Sequence, residues 1–237
     1  MKSNSSFIGK YSKKLPLPLI LLLFLFVGAI GLFTLIMHEV LQEREEQVDH
    51  HIFQFLSSHV INPSLTPFMK TVTYFASATF LQIAYIILIA FYIILKNWKR
   101  ALEIAAIGMG GFIVNYFMKL FFHRVRPPDP LIAPLQNFSF PSGHATSAFI
   151  FYGLLAYLIW KTDLNRTYKY LTATVLIIFS LLIGFSRVYL RVHYPSDVVA
   201  GFCIGFSWLV ITISLFTRLK KKADIEEKQE ATQPDKV

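Results

Sequence analysis

The feature that most constrains this chain is a series of long apolar segments that are almost free of charge. A helix needs about 20 apolar residues to cross the hydrocarbon core of a bilayer. Six segments approach or exceed that length: 15–37, 71–95, 101–122, 145–160, 170–186 and 198–217. Only the third contains charged residues, Glu103 and Lys119. The sequence therefore predicts an all-α integral membrane bundle of six transmembrane helices.

Composition excludes the other classes of protein. Hydrophobic residues make up 54% of the 237 residues and charged residues only 16%, whereas soluble domains carry about 25% charge. The single cysteine, Cys203, excludes a disulfide-rich scaffold. The net charge of +9 does not predict a nucleic-acid partner, because the basic residues lie in short groups between apolar segments.

The basic residues also predict the orientation. If both termini are cytoplasmic, 16 of the 23 basic residues lie on the inner side, as the positive-inside rule requires. The chain is then a multi-pass protein of the cell membrane, with a cytoplasmic basic segment (1–14), a transmembrane domain (15–217) and a cytoplasmic polar tail (218–237). Most outer basic residues cluster at 119–126 and 187–191, and all seven histidines are also outside. The positive-inside rule does not account for basic residues on the outer side. Their clustering therefore indicates an anion site on the extracytoplasmic face.

The outer segment 38–70 has a different pattern. Five acidic residues, of which Asp49 is the last, precede a short apolar stretch. This pattern predicts an amphipathic helix on the membrane surface. His50, His51, His59 and the nearby carboxylates, Asp49 among them, could form a metal site, but they lack a fixed ligand spacing. We therefore interpret them as an exposed polar face and predict no metal.

The first motif with chemical potential joins Lys119 to Arg126 and Pro127. Proline disfavours helical geometry in the residue before it, so the guanidinium of Arg126 can turn back toward Lys119. Two such cations form a phosphate clamp, in which arginine gives forked donors and lysine a point charge. Alternatively, Lys119 only snorkels to the interface and Arg126 lies in an unrelated loop.

The second motif, Pro141-Ser142-Gly143-His144, stands at the start of the fourth predicted helix. A helix N-terminus leaves backbone N–H groups unpaired and favours anions. Ser142 is a good N-cap residue, and Gly143 lets a ligand approach the backbone closely. An ordinary helix start explains these residues but not His144, since a histidine at the membrane edge needs a partner.

The third motif comprises Ser186-Arg187, His193 and Asp197. Proline is favoured at the first helical position, so Pro195 is predicted to begin the sixth helix and Asp197 to lie in its first turn. Asp197 can then accept a hydrogen bond from one imidazole nitrogen and leave a lone pair on the other. This is the arrangement of an activated nucleophile. The simpler interpretation is a helix-end carboxylate beside an interfacial histidine.

The three motifs share one predicted face of the membrane, and together they suit phosphoryl transfer. An enzyme of this kind must hold the three phosphoryl oxygens, attack phosphorus in line and protonate the leaving oxygen. The segments 119–127 (KLFFHRVRP), 141–144 (PSGH) and 186–197 (SRVYLRVHYPSD) resemble the three-part signature of the type 2 phosphatidic acid phosphatase superfamily. Within it, the chain is most similar to the compact bacterial lipid phosphatases of the phosphatidylglycerophosphatase B type.

The resemblance implies a role for each matching residue. His193 would be the nucleophile that forms a phosphohistidine, and Asp197 would orient it. His144 would protonate the leaving group and then activate water. The phosphoryl oxygens would be bound by five residues: Lys119, Arg126, Ser142, Gly143 and Arg187. The residues alone do not decide which histidine attacks, and the scheme requires no metal or other cofactor.

The resulting expectation is a metal-independent membrane lipid phosphatase that converts phosphatidylglycerophosphate to phosphatidylglycerol. Undecaprenyl pyrophosphate and phosphatidic acid are alternative substrates. Two further outer cations, Arg124 and Arg191, favour a headgroup with a second phosphate. An anion transporter is an alternative of another class, although no inverted repeat is visible. A vanadate-dependent haloperoxidase is a third alternative, which the membrane setting disfavours. The oligomeric state is not predicted.

Overall fold

The structure, a computed structural model, describes residues 16–42 and 46–232. The regular elements in these residues are all helices: α1 (Leu17–Leu41), α2 (Glu46–His59), α3 (Thr66–Tyr74), α4 (Ala78–Ile94), α5 (Trp98–Phe122), α6 (Gly143–Trp160), α7 (Arg166–Tyr189) and α8 (Pro195–Thr232). Six spans are long and apolar enough to cross a membrane, and α3 and α4 together form the second of them. The predicted all-α bundle of six spans is thus confirmed. The basic segment 1–14 lies outside the described residues, as do Glu43 and Glu45 of the acidic segment.

The second span, predicted from the apolar segment 71–95, consists of two helices. α3 ends at Tyr74 and α4 begins at Ala78. Ser77 lies between them with an extended backbone (φ −65°, ψ 152°), and its side chain accepts a hydrogen bond from the backbone N–H of Phe80. A serine in this position satisfies an amide that has no partner in the first turn of a helix. The N-cap therefore stabilises the break.

α6 lies at the centre of the bundle, in contact with α5, α7 and α8. Its buried face carries small residues, Ala145 and Ala148, which let neighbouring helices approach closely. α8 meets the start of α6 at Gly201, where a Cβ atom would stand 2.8 Å from the carbonyl oxygen of Ser142. Only glycine fits at such a distance, so α8 can bring its first turn against the loop that precedes α6.

The last three membrane helices are longer than the predicted segments. α6 and α7 extend past 145–160 and 170–186 by up to four residues at an end, because a helix continues into the polar interface where an apolar segment stops. α8 begins at Pro195, as predicted, and continues to Thr232. The predicted polar tail 218–237 is therefore helical for most of its length, and its last five residues lie outside the described part of the chain.

α2 is the helix expected between the first and second spans. Its apolar face packs against the ends of α6, α7 and α8 through Leu56, which is only 5% exposed. His50, His51 and His59 are exposed, as predicted. The interpretation of Asp49 as part of the same exposed face is wrong, since this residue is 2% exposed. An arginine of a later loop pairs with its carboxylate and draws it into the protein.

Candidate active site

The three sequence motifs meet at one end of the bundle, where α5 and α7 end and α6 and α8 begin. His144 lies in the first turn of α6, and two distances show the convergence around it. A terminal nitrogen of Arg126 is 3.1 Å from Nε2 of His193, and a Cβ atom at Gly143 would stand 3.8 Å from Cε of Lys119. Residues from all three motifs thus surround one location.

His193 lies in the turn between α7 and α8 and is 2% exposed. Its Nδ1 is 3.3 Å from Oδ2 of Asp197, and its Nε2 is 3.1 Å from a terminal nitrogen of Arg126. A guanidinium has donors and no acceptor, so Nε2 must carry the lone pair. Nδ1 then carries the proton, which points to the carboxylate. The two neighbours therefore fix the same tautomer of His193 from opposite sides of the ring.

Asp197, in the first turn of α8, is fully buried. Its Oδ2 accepts hydrogen bonds from the backbone N–H of Tyr194 at 2.9 Å and from the hydroxyl of Ser139. Its Oδ1 accepts from Arg124 at 2.8 Å. These donors hold the carboxylate in one orientation toward His193. Sequence reasoning missed Ser139, because this serine lies in an irregular loop with no pattern of its own.

The pKa of His193 is strongly perturbed. Burial lowers it to about 3, although Asp197 acts in the opposite direction. The ordinary pKa of a histidine is about 6.5. His193 is therefore neutral at physiological pH, which is the state that a nucleophile requires.

Lys119 and Arg126 converge on one carbonyl group. Lys119 lies in the last turn of α5, and the chain turns back after this helix at His123, whose φ of 51° is left-handed. The Nζ of Lys119 donates to the carbonyl oxygen of Phe138 at 2.6 Å, and Arg126 donates to the same oxygen at 3.2 Å. Arg126 also donates to the carbonyl oxygen of Val192, next to His193. The two cations thus lie side by side next to His193.

The loop before α6 supplies the helix start that the second motif predicted. Ser142 is fully buried, and its hydroxyl accepts a hydrogen bond from the N–H of Ala145 at 3.4 Å. A Cβ atom at Gly143 would stand 3.1 Å from the amide oxygen of Asn115 and 3.8 Å from Cε of Lys119, so a larger residue would crowd both side chains. The ring of His144 makes no hydrogen bond with the residues that the structure describes, which leaves its nitrogens available.

Arg187, in the last turn of α7, is 2% exposed. One terminal nitrogen donates to the hydroxyl of Thr73 at 2.8 Å. Its Nε has no hydrogen-bond partner among the described residues. Thr73 lies near the end of α3 and was not singled out from the sequence, since no local signal marks a threonine that meets a residue 114 positions away.

The outer cations Arg124 and Arg191 differ from what the sequence suggested. Arg124 forms salt bridges of 2.8 Å with both Asp49 and Asp197, and it therefore neutralises buried carboxylates instead of facing a second phosphate. Arg191 donates to the hydroxyl of Ser57 on α2 at 2.7 Å. Within the described ranges, no group of three or more potential ligands is arranged to hold a metal.

Comparisons with known proteins agree with the motifs. Residues 100–221, about half of the chain, match the PAP2 superfamily. Phosphatidylglycerophosphatase B from Bacillus subtilis (strain 168) is 29% identical over 164 residues, which cover 67% of this chain and 79% of that protein. Undecaprenyl-diphosphatase BcrC from the same strain is 34% identical over 120 residues, which cover 47% of this chain and 57% of that protein.

The fold agrees as well. The crystal structure of a transmembrane PAP2 type phosphatidylglycerolphosphate phosphatase from Bacillus subtilis superposes with a TM-score of 0.68 at 26% sequence identity. The superposition covers 83% of this chain and 96% of that one. The chain therefore belongs to the PAP2 superfamily and is one of its membrane phosphatases, as the sequence motifs predicted.

Proposed function

We propose that the protein is a metal-independent lipid phosphatase that converts phosphatidylglycerophosphate to phosphatidylglycerol through a phosphohistidine on His193. The environment of His193 carries this proposal. Asp197 holds Nδ1, and Nε2 faces a guanidinium nitrogen of Arg126 at 3.1 Å. The nucleophilic lone pair thus points at the cation that would hold the phosphoryl group.

Three cations would bind the phosphoryl oxygens, namely Lys119, Arg126 and Arg187. The unpaired Nε of Arg187 supports this role. A buried donor without a partner destabilises a protein by about 1–3 kcal/mol, and by more if the group is charged. A phosphate oxygen would satisfy it. Ser142 and Gly143 would contribute the N-terminus of α6, whose unpaired amides favour an anion.

The reaction would proceed in two steps. In the first, Nε2 of His193 attacks phosphorus, the bond from phosphorus to the lipid oxygen breaks, and His144 gives a proton to that oxygen. In the second, His144 takes a proton from a water molecule, the water oxygen attacks phosphorus, and the phosphorus–nitrogen bond breaks. Inorganic phosphate leaves and both histidines return to their initial state. Asp197 keeps the proton on Nδ1 throughout.

The choice of lipid rests on the extent of similarity. Phosphatidylglycerophosphatase B aligns with 67% of this chain, and the related crystal structure covers 83% of it. Undecaprenyl pyrophosphate is the second candidate, because BcrC has a higher identity, 34%, over a shorter part of the chain. Phosphatidic acid is a third. The clustering of charge at one end of the bundle argues against the anion transporter, which would carry charge along its path.

A substrate panel tests the proposal. Purified protein in detergent micelles would receive phosphatidylglycerophosphate, undecaprenyl pyrophosphate or phosphatidic acid at equal mole fraction, with excess EDTA present. We expect the highest kcat/KM for phosphatidylglycerophosphate and no turnover by His193→Ala. Preference for the pyrophosphate would favour the second candidate. Activity that disappears in EDTA and returns with magnesium would contradict the metal-independent mechanism.

A further inference from the structure

We infer that Asp49, on α2, is a positioning residue for the nucleophile and acts through Arg124 and Asp197. The inference rests on the proposed function, because it concerns the same histidine. Asp49 belongs to none of the three sequence motifs, and α2 lies outside the region 100–221 that matches the superfamily.

A continuous chain of polar contacts leads from α2 to His193. Oδ2 of Asp49 accepts a hydrogen bond from one terminal nitrogen of Arg124 at 2.8 Å. The other terminal nitrogen of Arg124 donates to Oδ1 of Asp197, also at 2.8 Å. The remaining oxygen of Asp197 faces Nδ1 of His193. One planar guanidinium therefore fixes the position of one carboxylate relative to the other.

Ser196 adds a second connection. Its backbone N–H donates to Oδ1 of Asp49 at 3.1 Å, and its hydroxyl donates to Oδ2 at 2.6 Å. Arg124 in turn donates to the hydroxyl of Ser196 at 2.7 Å. Because Ser196 directly precedes Asp197, Asp49 holds the first turn of α8 by its backbone as well as through the guanidinium.

The location makes these contacts strong. Asp49 is 2% exposed and Asp197 is fully buried, and the side chain of Arg124 is 14% exposed. Charges shielded from water interact more strongly than exposed pairs. The ring of Tyr194 covers the guanidinium at 4.1 Å. A neutral side chain at position 49 would therefore weaken the hold of α2 on Arg124 and let Asp197 shift relative to His193.

Asp49→Asn is the test, because it keeps the shape of the side chain and removes its charge. Loss of an outer partner of a metal-ligating residue typically lowers activity about 10- to 100-fold, and by analogy we expect a fall of that size in kcat. KM should stay within about twofold, since an effect confined to the chemical step leaves binding unchanged. Ser57→Ala is the matched control: it removes the hydrogen bond from Arg191 to α2 but leaves the Asp49 contacts in place. Its kcat should equal that of the wild type.

A double-variant cycle separates positioning from general stability. If Asp49 acts through Asp197, adding Asp49→Asn to Asp197→Asn should lower kcat by less than about twofold further, because coupled residues are non-additive. Losses that multiply in the double variant would overturn the inference, as would a wild-type kcat in Asp49→Asn.

Ser196→Ala keeps the test decisive if Asp49→Asn is not recovered as folded protein. It removes the hydroxyl contacts to Asp49 and Arg124 without changing the charge, so we expect a smaller fall in kcat with unchanged KM. An unaltered kcat in that variant would also overturn the inference. A wild-type protein that hydrolyses no lipid phosphate would instead contradict the proposed function, and the two failures are therefore distinguishable.

Discussion

Asp197→Asn probes the tautomer of His193 most directly. Oδ1 of Asp197 accepts a hydrogen bond from Arg124. Oδ2 faces Nδ1 of His193 and accepts from the backbone N–H of Tyr194 and the hydroxyl of Ser139. An asparagine has one acceptor oxygen, so its NH₂ group must replace one of these two oxygens. Arg124 is a cation with donors only, and we expect the amide oxygen to remain toward this charged partner. The NH₂ group then points at Nδ1 of His193.

The amide NH₂ group then favours the proton of His193 on Nε2, in opposition to Arg126, and a proton on Nε2 removes the lone pair that attacks in the proposed mechanism. In other histidine-based sites the wrong tautomer costs up to about 10⁴-fold in kcat, which corresponds to about 5 kcal/mol of activation free energy. We expect a fall of about 10³- to 10⁴-fold in kcat for Asp197→Asn. KM should change little, because Lys119 and Arg187 do not contact the carboxylate. The assay is release of inorganic phosphate from phosphatidylglycerophosphate in mixed micelles.

Asp129→Asn is a suitable control for the change of charge. Asp129 is exposed and has a left-handed φ of 52°, which asparagine also tolerates. Its kcat should match the wild type. Retention of more than about one tenth of wild-type kcat by Asp197→Asn would refute the control of the tautomer by Asp197, since the expected loss is orders of magnitude larger.

Three further outcomes are expected. His193→Ala should form no phosphoenzyme with any substrate. His144→Ala should recover part of its phosphoenzyme formation with p-nitrophenyl phosphate, because the leaving group of this substrate needs no proton. Acid-quenched samples made with ³²P-labelled substrate would measure the phosphoenzyme in both variants. In the proposed mechanism only neutral His193 attacks, and the pKa of this residue is about 3. Ionisation of His193 should therefore cause no fall in kcat/KM as the pH is lowered through 6.5. Such a fall, if it persists in His144→Ala and is not due to ionisation of the substrate, would contradict the role of His193 as the nucleophile. The topology predicted from the basic residues can be tested in intact cells with an impermeant thiol reagent, after Cys203 is replaced by serine. The reagent should label a cysteine introduced at Gln136 and should not label one introduced at Asn97. The reverse pattern would show that the predicted orientation is inverted.

Apolar length and motif spacing account for the part of the structure that could be predicted. The six spans are predicted because long uncharged apolar segments are stable as helices in a bilayer. The start of α8 at Pro195 and the position of Asp197 in its first turn are predicted by the preference of proline for the first helical position. The break at Ser77 could not be predicted, because one serine in an apolar segment is as compatible with a continuous helix as with an N-cap. The contact of α3 with α7, which joins distant parts of the chain, is also not visible in the sequence.

Asp49 was missed for a different reason. Its neighbours in the sequence are acidic and polar, which is the pattern of an exposed helix face. The residue that reverses this interpretation, Arg124, lies 75 positions away. Ser139 similarly has local surroundings typical of a loop, and only its distance to Asp197 and His193 gives it a role. Long-range polar pairing of this kind leaves no periodic trace in a single sequence.

The partners of the basic residues separate the cations of the site into two kinds, although the sequence presents them alike. Lys119 and Arg126 donate to backbone carbonyl groups, and Arg187 donates to a hydroxyl group. None of these three forms a salt bridge within the described part of the chain, so their positive charge remains available to a phosphate. Arg124 instead has its charge balanced by Asp49 and Asp197. Three available cations suit the three oxygens that a phosphoryl group presents in transfer, and the fourth cation, Arg124, balances the carboxylate that faces Nδ1 of His193.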